Sequence, residues 1–214
     1  MRVELSGKEL GIDDLEAVAL GAAEVSLEGG AEARIQDARA KVEAALERGR
    51  VVYGLNTGVG ELRTVVIPKE DITQLQCNLV RSSACAVGEP LAEEVVRGMM
   101  MLRANAFATG RSGVRPELVR LLIGMLNSRV HPVVPHQGSV GSSGDLAPLA
   151  HVALVVMGEG EAWYQGRRVP GGEALRAAGL SPLRLQAKEG LALINGTQMM
   201  TALAGLGLAR ALRA

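Results

Sequence analysis

Apolar side chains at Ile35, Ala38, Val42, Ala45 and Leu46 recur every three or four residues, while Arg34, Asp37, Lys41 and Glu47 fall between them. That period marks a helix with one buried stripe, spanning about 31–48. Ahead of it, Val3 to Leu5 read as a short strand, followed by a helix that Asp13 or Asp14 would cap before Leu15, Val18 and Ala19. Further helices are predicted from Pro68 to about Val87, from about Pro90 to Ala108, and from Pro116 to about Asn127. Another runs from Asp145 to Met157, where Pro148 falls in the first turn, and a long last one starts near Gly196. Between them, VVYGLNTGVGEL carries Gly54, Gly58 and Gly60 and reads as a strand turning into a loop. Residues 128–143, with their prolines, histidines and Gly/Ser cluster, read as a loop, and EAWYQGRRVP as a hairpin turning at Gln165-Gly166. The expected class is mainly α: a helical bundle with a small α/β N-terminal region and a short β-hairpin. Residues 1–110 form one expected region, bearing the tyrosine loop, and residues 111–214 the start of a central helical domain.

Composition narrows the partners. The 23 basic residues balance 23 acidic ones, which argues against a nucleic-acid footprint or an anionic membrane surface. Tyr53, Phe107, Trp163 and Tyr164 are the only aromatics, too few and scattered for a base-stacking platform. A core without aromatics must come from Ala, Leu, Val and Met, so the Met99-Met100-Met101 run reads as core filling. Cys77 and Cys85 are read as two buried thiols of a cytoplasmic protein rather than a disulfide framework. MRVELSGKEL lacks the apolar run of a signal peptide, and no uninterrupted apolar stretch reaches the ~18 residues of a membrane span. The last helix ends in LARALRA without a stop signal, the pattern of an early end or of a helix needing a partner. Gly190 to Leu212 is apolar on most sides, so self-association is expected.

The chemistry concentrates in Gly138 to His151, GSVGSSGDLAPLAH. No Lys follows these glycines, so it is not a phosphate loop. Spacing of three and three does not fit the dinucleotide fingerprint, and neither Ser142 nor Ser143 sits in a nucleophile elbow. His131, His136 and His151 match no zinc spacing and read as ordinary hydrogen-bonded or exposed histidines, so no metal is expected. By itself a Ser/Gly loop at a helix start is most often a cap or a turn.

Taken with three other motifs, the segment resembles the aromatic amino acid ammonia-lyases, most of all the histidine ammonia-lyase branch. The other motifs are YGLNTGVG at 53–60, RANAFATGRSGVR at 103–115 and KEGLALINGTQ at 188–198, in the family's order and position. The resemblance implies that Ser142-Ser143-Gly144 cyclises by itself into a 4-methylidene-imidazol-5-one electrophile. A glycine suits the ring-closing position because without a Cβ the backbone folds back at least steric cost. The implied reaction is loss of ammonia from an amino acid, leaving an α,β-unsaturated acid, by covalent catalysis. Ser143 would supply the methylidene. Tyr53 would move a proton or orient the amine, or else be a core tyrosine. Asn195 would bind the substrate carboxylate or the ring, or else cap a helix before Gly196. Asp145 would orient the loop or cap its helix. The dipole at that helix start would favour negative charge on the ring oxygen. The implied partners are a small amino-acid substrate and further copies of the chain, a homotetramer in the family.

Three departures qualify this. Residue 142 is Ser where the family usually has Ala, adding a hydroxyl next to the cyclising atoms. Ser83 stands where a substrate-contacting His is usual, which gives less reach toward a substrate ring. The family's chain is more than twice as long, and its base tyrosine, a substrate-binding arginine and a glutamate would follow residue 214. The chain is therefore read as an N-terminal part of such an enzyme. Two alternatives stay open: a catalytically silent helical module with an uncyclised loop, and an aminomutase that returns the amine to the β-carbon.

Overall fold

The computed structural model describes residues 1–140 and 144–214. Gly141, Ser142 and Ser143 lie outside the described residues. The chain opens with β1 (Arg2–Leu5), α1 (Ile12–Ala19) and β2 (Glu24–Leu27). β1 and β2 pair in parallel, Val3 opposite Val25 and Leu5 opposite Leu27, with α1 as the crossover. These alternate residues point inward and are buried on β1. α1 is capped differently from the sequence reading. Gly11 is the cap residue, and Asp14 reaches back to accept its amide at 3.1 Å.

α2 (Ala31–Glu47) follows as predicted, and the tyrosine loop then runs through two short 3-10 turns, Gly60–Leu62 and Lys69–Asp71. The strand expected before that loop is absent; a single bridge between Thr57 and Val66 takes its place. α3 (Ile72–Ser83) is shorter than expected at both ends. Pro68 is extended, at ψ 149°, so the helix starts only after the 3-10 turn. Its far end gives way to β3 (Val87–Pro90), which pairs with a later strand.

α4 (Glu93–Ala108) and α5 (Pro116–Asn127) come next, and β4 (His131–Pro132) and β5 (Pro135–Gln137) lie in the segment read as pure loop. β5 pairs with β3, and β4 adds an edge to the hairpin of β6 (Glu161–Tyr164) and β7 (Arg167–Pro170). That hairpin turns where predicted. Between these sheets runs α6 (Leu146–Val156), and α7 (Gly171–Ala177), α8 (Glu189–Ile194) and α9 (Gln198–Ala211) complete the chain.

α4 is the axis of the bundle and packs against α1, α5 and α9. Met99, Met100 and Met101 are fully buried, so the methionine run is core, as its apolar surroundings predict. One apolar core runs from Val3 to Leu206 and includes residues on both sides of position 110. Length and composition alone would let Glu189–Ala211 span a membrane. The segment instead breaks at 195–197 and packs on α3, α4 and α6. The thiols correct the sequence reading: Cys77 is half-buried and Cys85 exposed, because Cys85 follows the end of α3 rather than lying inside it.

Candidate active site

The segment from Lys188 to Met200 gathers the four motifs. Its anchor is Glu189, whose side chain is wholly buried and whose carboxylate accepts four hydrogen bonds. Arg115 donates three of them, from its backbone amide (3.0 Å), Nε (2.9 Å) and Nη2 (2.8 Å), and the Gln186 amide donates the fourth at 2.8 Å. A buried carboxylate is tolerated only with its lone pairs filled, and here they are. The hydrogen bond to Glu189 raises the Arg115 pKa above its usual value. This pair ties the RSGVR motif to the start of α8. On another face, Gln76 of α3 accepts the Leu191 amide at 3.2 Å.

The tyrosine loop is held by its own polar residues. Asn56 Oδ1 accepts the Val52 amide (2.8 Å) while its Nδ2 donates to the Arg50 carbonyl (2.9 Å), and Thr57 Oγ1 accepts the Gly54 amide at 3.1 Å. Gly54 presses on α8 so closely that a Cβ there would lie 2.3 Å from Leu191 Cδ2. Tyr53 itself is 53% exposed. Its hydroxyl accepts the Gly60 amide at 3.4 Å, so it is not a core tyrosine.

Asn195 is exposed and ends α8 as its C-cap; it does not cap α9, whose first flanking residue is Thr197. The bend that follows touches the cyclising segment. Gly144 sits at φ +85°, where a Cβ would lie 2.8 Å from Thr197 Cγ2 and 2.9 Å from the Gly196 carbonyl oxygen. No other residue type fits there. The next amide, of Asp145, donates to that same Gly196 oxygen at 2.9 Å. Asp145 is fully buried. Its carbonyl accepts the Leu149 amide and so starts α6, but its side chain makes no cap bond there. Instead Oδ2 accepts the Met200 amide (2.9 Å), capping α9 from outside, and Oδ1 accepts the Ser139 hydroxyl at 2.5 Å. Of the two roles open in the sequence, capping belongs to a different helix, and the carboxylate also holds the residues leading into the loop.

Ser83 is the half-buried last residue of α3, the helix that packs against α6 and α8. Ser142 and Ser143 lie outside the described residues. A cleft of about 430 Å³ next to the loop is lined by Cys85, His136, Gln137, Gly138, Ser139, Val140 and Ala147. Sequence reasoning did not single out Cys85, His136 or Ser139 for this place. Ser139 carries one local signal, a hydroxyl six residues before Asp145. Arg103 and Gln198 stand inside the RANAFATGRSGVR and KEGLALINGTQ motifs, with nothing in their spacing to mark them.

The cyclised tripeptide that the motifs imply can be tested against these residues. The ring-closing nitrogen would belong to Gly144, whose positive φ and lack of room for a Cβ leave a cradle that only backbone can occupy. The described donors therefore fit the group.

The helical bundle that carries this braced Gly144-Asp145 step is the fold of solved ammonia-lyases and aminomutases. The family model "aromatic amino acid lyase" matches residues 10–214, and the chain belongs to that family. The chain is 56% identical over 209 residues to the histidine ammonia-lyase of Gloeobacter violaceus, covering 98% of this chain and 41% of that protein. Among solved structures, histidine ammonia-lyase from Trypanosoma cruzi superposes with a TM-score of 0.90 at 40% identity, over 99% of this chain and 41% of that one. Tyrosine aminomutase from Streptomyces globisporus gives a TM-score of 0.92 at 39% identity, over 99% and 40%. The chain thus spans about two-fifths of the length of the relatives it matches.

Proposed function

We propose that the whole protein is a carbon–nitrogen lyase that eliminates ammonia from L-histidine or an aromatic L-amino acid, using a methylidene-imidazolone built from Ser142, Ser143 and Gly144. The observation that carries this is the left-handed Gly144 wedged against Gly196 and Thr197. The ring, once formed, supplies an electron-poor alkene that turns the substrate amine into a better leaving group. Gly144 and Asp145 fix the loop, the latter through Ser139 and Met200. The start of α6 offers amide dipoles to negative charge on the ring oxygen. Tyr53 presents an exposed phenol that moves a proton or orients the amine. Asn195 presents an exposed amide to the substrate carboxylate, and Ser83 a hydroxyl toward the substrate side chain. No metal enters this scheme. The protein would work in the cytoplasm, as an assembly of several copies, a tetramer as in the family.

A second reading, amine transfer to the β-carbon, draws on the equally good superposition with tyrosine aminomutase. One experiment separates the readings. The whole protein is incubated with histidine, phenylalanine and tyrosine, and both unsaturated acid and β-amino acid are measured. In parallel, the peptide covering 138–151 is weighed after digestion. A deficit of two waters with unsaturated acid supports the lyase; β-amino acid supports the mutase. An unmodified peptide with no product leaves only a silent helical module.

A further inference from the structure

Arg103 lies on α4 beneath the Asn195–Gln198 bend. It is 7% exposed, and its guanidinium carbon lies 4.9 Å from the centre of the Phe107 ring, one helical turn along. Nη2 donates to the Asn195 carbonyl at 2.9 Å and Nη1 to Gln198 Oε1 at 3.2 Å. Nε has no partner, and no carboxylate pairs with the charge, among the described residues. Burying an unpaired cation is costly, so a packing role alone would be better filled by an apolar side chain. What the charge holds is the bend itself. At Gly196 a Cβ would lie 2.6 Å from Arg103 Nη1 and 2.1 Å from Gln198 Oε1, so the bend rests directly on the guanidinium. The upper side of that bend is the Gly196 carbonyl that receives the Asp145 amide and blocks any Cβ on Gly144.

We propose that Arg103 is a positioning residue for ring closure: by gripping Asn195 and Gln198 from below, it makes the Gly196 bend a rigid stop against which Gly144 is folded toward Ser142. This rests on the reading that the tripeptide cyclises. In that step the Gly144 nitrogen bonds to the Ser142 carbonyl carbon. The carbonyl oxygen leaves as water with the amide hydrogens of Gly144 and Ser143, leaving a C=N bond to the Ser143 nitrogen. Ser143 then loses its Cα hydrogen and its hydroxyl as a second water, giving the methylidene, so no oxidant or reductant is needed. Arg103 contributes no atom to this; it removes the freedom of the wall behind Gly144. Burial lowers the Arg103 pKa to about 10, which still leaves it charged at neutral pH. Burial of Lys188, and then the charge of Arg103, lower the pKa of that lysine, two turns before the bend.

The test follows dehydration rather than turnover. The whole protein is produced as wild type, R103K, R103M, Q198L and a core control V119A. Each is made by cell-free synthesis, and the growth of the two-water deficit in the 138–151 peptide is followed by mass spectrometry from the end of synthesis, beside circular dichroism and thermal melting of the purified proteins. R103M is expected to dehydrate at least tenfold more slowly than wild type, and R103K and Q198L to fall between. V119A should dehydrate normally despite its lowered melting point, because lost stability alone does not loosen this wall. Wild-type rates in folded R103M overturn the inference while leaving the lyase reading intact. If R103M does not fold, R103K decides, and wild-type dehydration there overturns the inference equally. An undehydrated wild type overturns the cyclisation reading and this inference with it.

Discussion

Arg115 and Glu189 meet in a two-pronged ion pair, Nε to Oε1 at 2.9 Å and Nη2 to Oε2 at 2.8 Å, with the carboxylate wholly inside the protein. Removing one partner of such a pair leaves the other charge uncompensated, at a cost of about 3–5 kcal/mol. R115A is therefore expected to lose stability in urea unfolding on that scale. R115K, which keeps the charge but not the fork, should lose less. A loss of only a few tenths in R115A would show that water reaches Glu189.

Gly144 and Gly179 allow a paired comparison. Both have positive φ, +85° and +72°, but a Cβ at Gly179 meets nothing within 4 Å, whereas at Gly144 it meets Thr197 and the Gly196 carbonyl. G179A should cost only the left-handed penalty of about 1–2 kcal/mol. G144A should cost clearly more, and in the whole protein should abolish the two-water deficit. Equal losses in the two variants would remove the steric argument.

Asp145 caps α9 from a distance, so its effect should appear there and not on its own helix. In D145A the Met200 amide loses its acceptor. Loss of a helix cap costs about 0.5–2 kcal/mol. Hydrogen exchange at the Met200 amide should accelerate, while the amides of α6 from Leu149 onward keep their protection. Unchanged exchange at Met200 would mean that the carboxylate does not hold that helix.

His131 gives a pH dependence with a definite sign. A guanidinium has no acceptor atom, so Arg97 Nη1 donates to His131 Nε2 (3.0 Å), which places the ring proton on Nδ1, facing Glu93 Oε1 at 3.3 Å. Burial, and then the charges of Arg97 and Arg129, push the ring down to a pKa of about 3. The unfolded chain takes up that proton near pH ~6.5. This group's contribution is therefore complete above that pH and is lost as pH falls toward about 3. H131Q should flatten the fall in urea midpoint between those limits. The same slope in both proteins would show that other groups carry it.

The period of apolar residues was enough for the helices that pack on both sides of α4, such as α5, whose bounds matched. It failed where stability comes from long-range pairing. β3, β4 and β5 are two to four residues long, and their partners are distant or out of phase, so nothing local marks them. Proline is tolerated at a helix start, but the extended ψ of Pro68 delays α3. In the site, the types at 53, 144, 145 and 195 were visible as motif members. The cap that Asp145 makes crosses 55 positions, and the grip of Arg103 crosses more than 90, so neither could be read from spacing.

That span also sets a clock. During synthesis Asp145 leaves the ribosome 55 residues ahead of the amide it will bind. At roughly 5–20 residues per second, about 3 to 11 seconds pass in which the nascent loop has no backstop. Any covalent rearrangement that needs the backstop is therefore scheduled by translation, and cannot precede the emergence and docking of the chain through Met200.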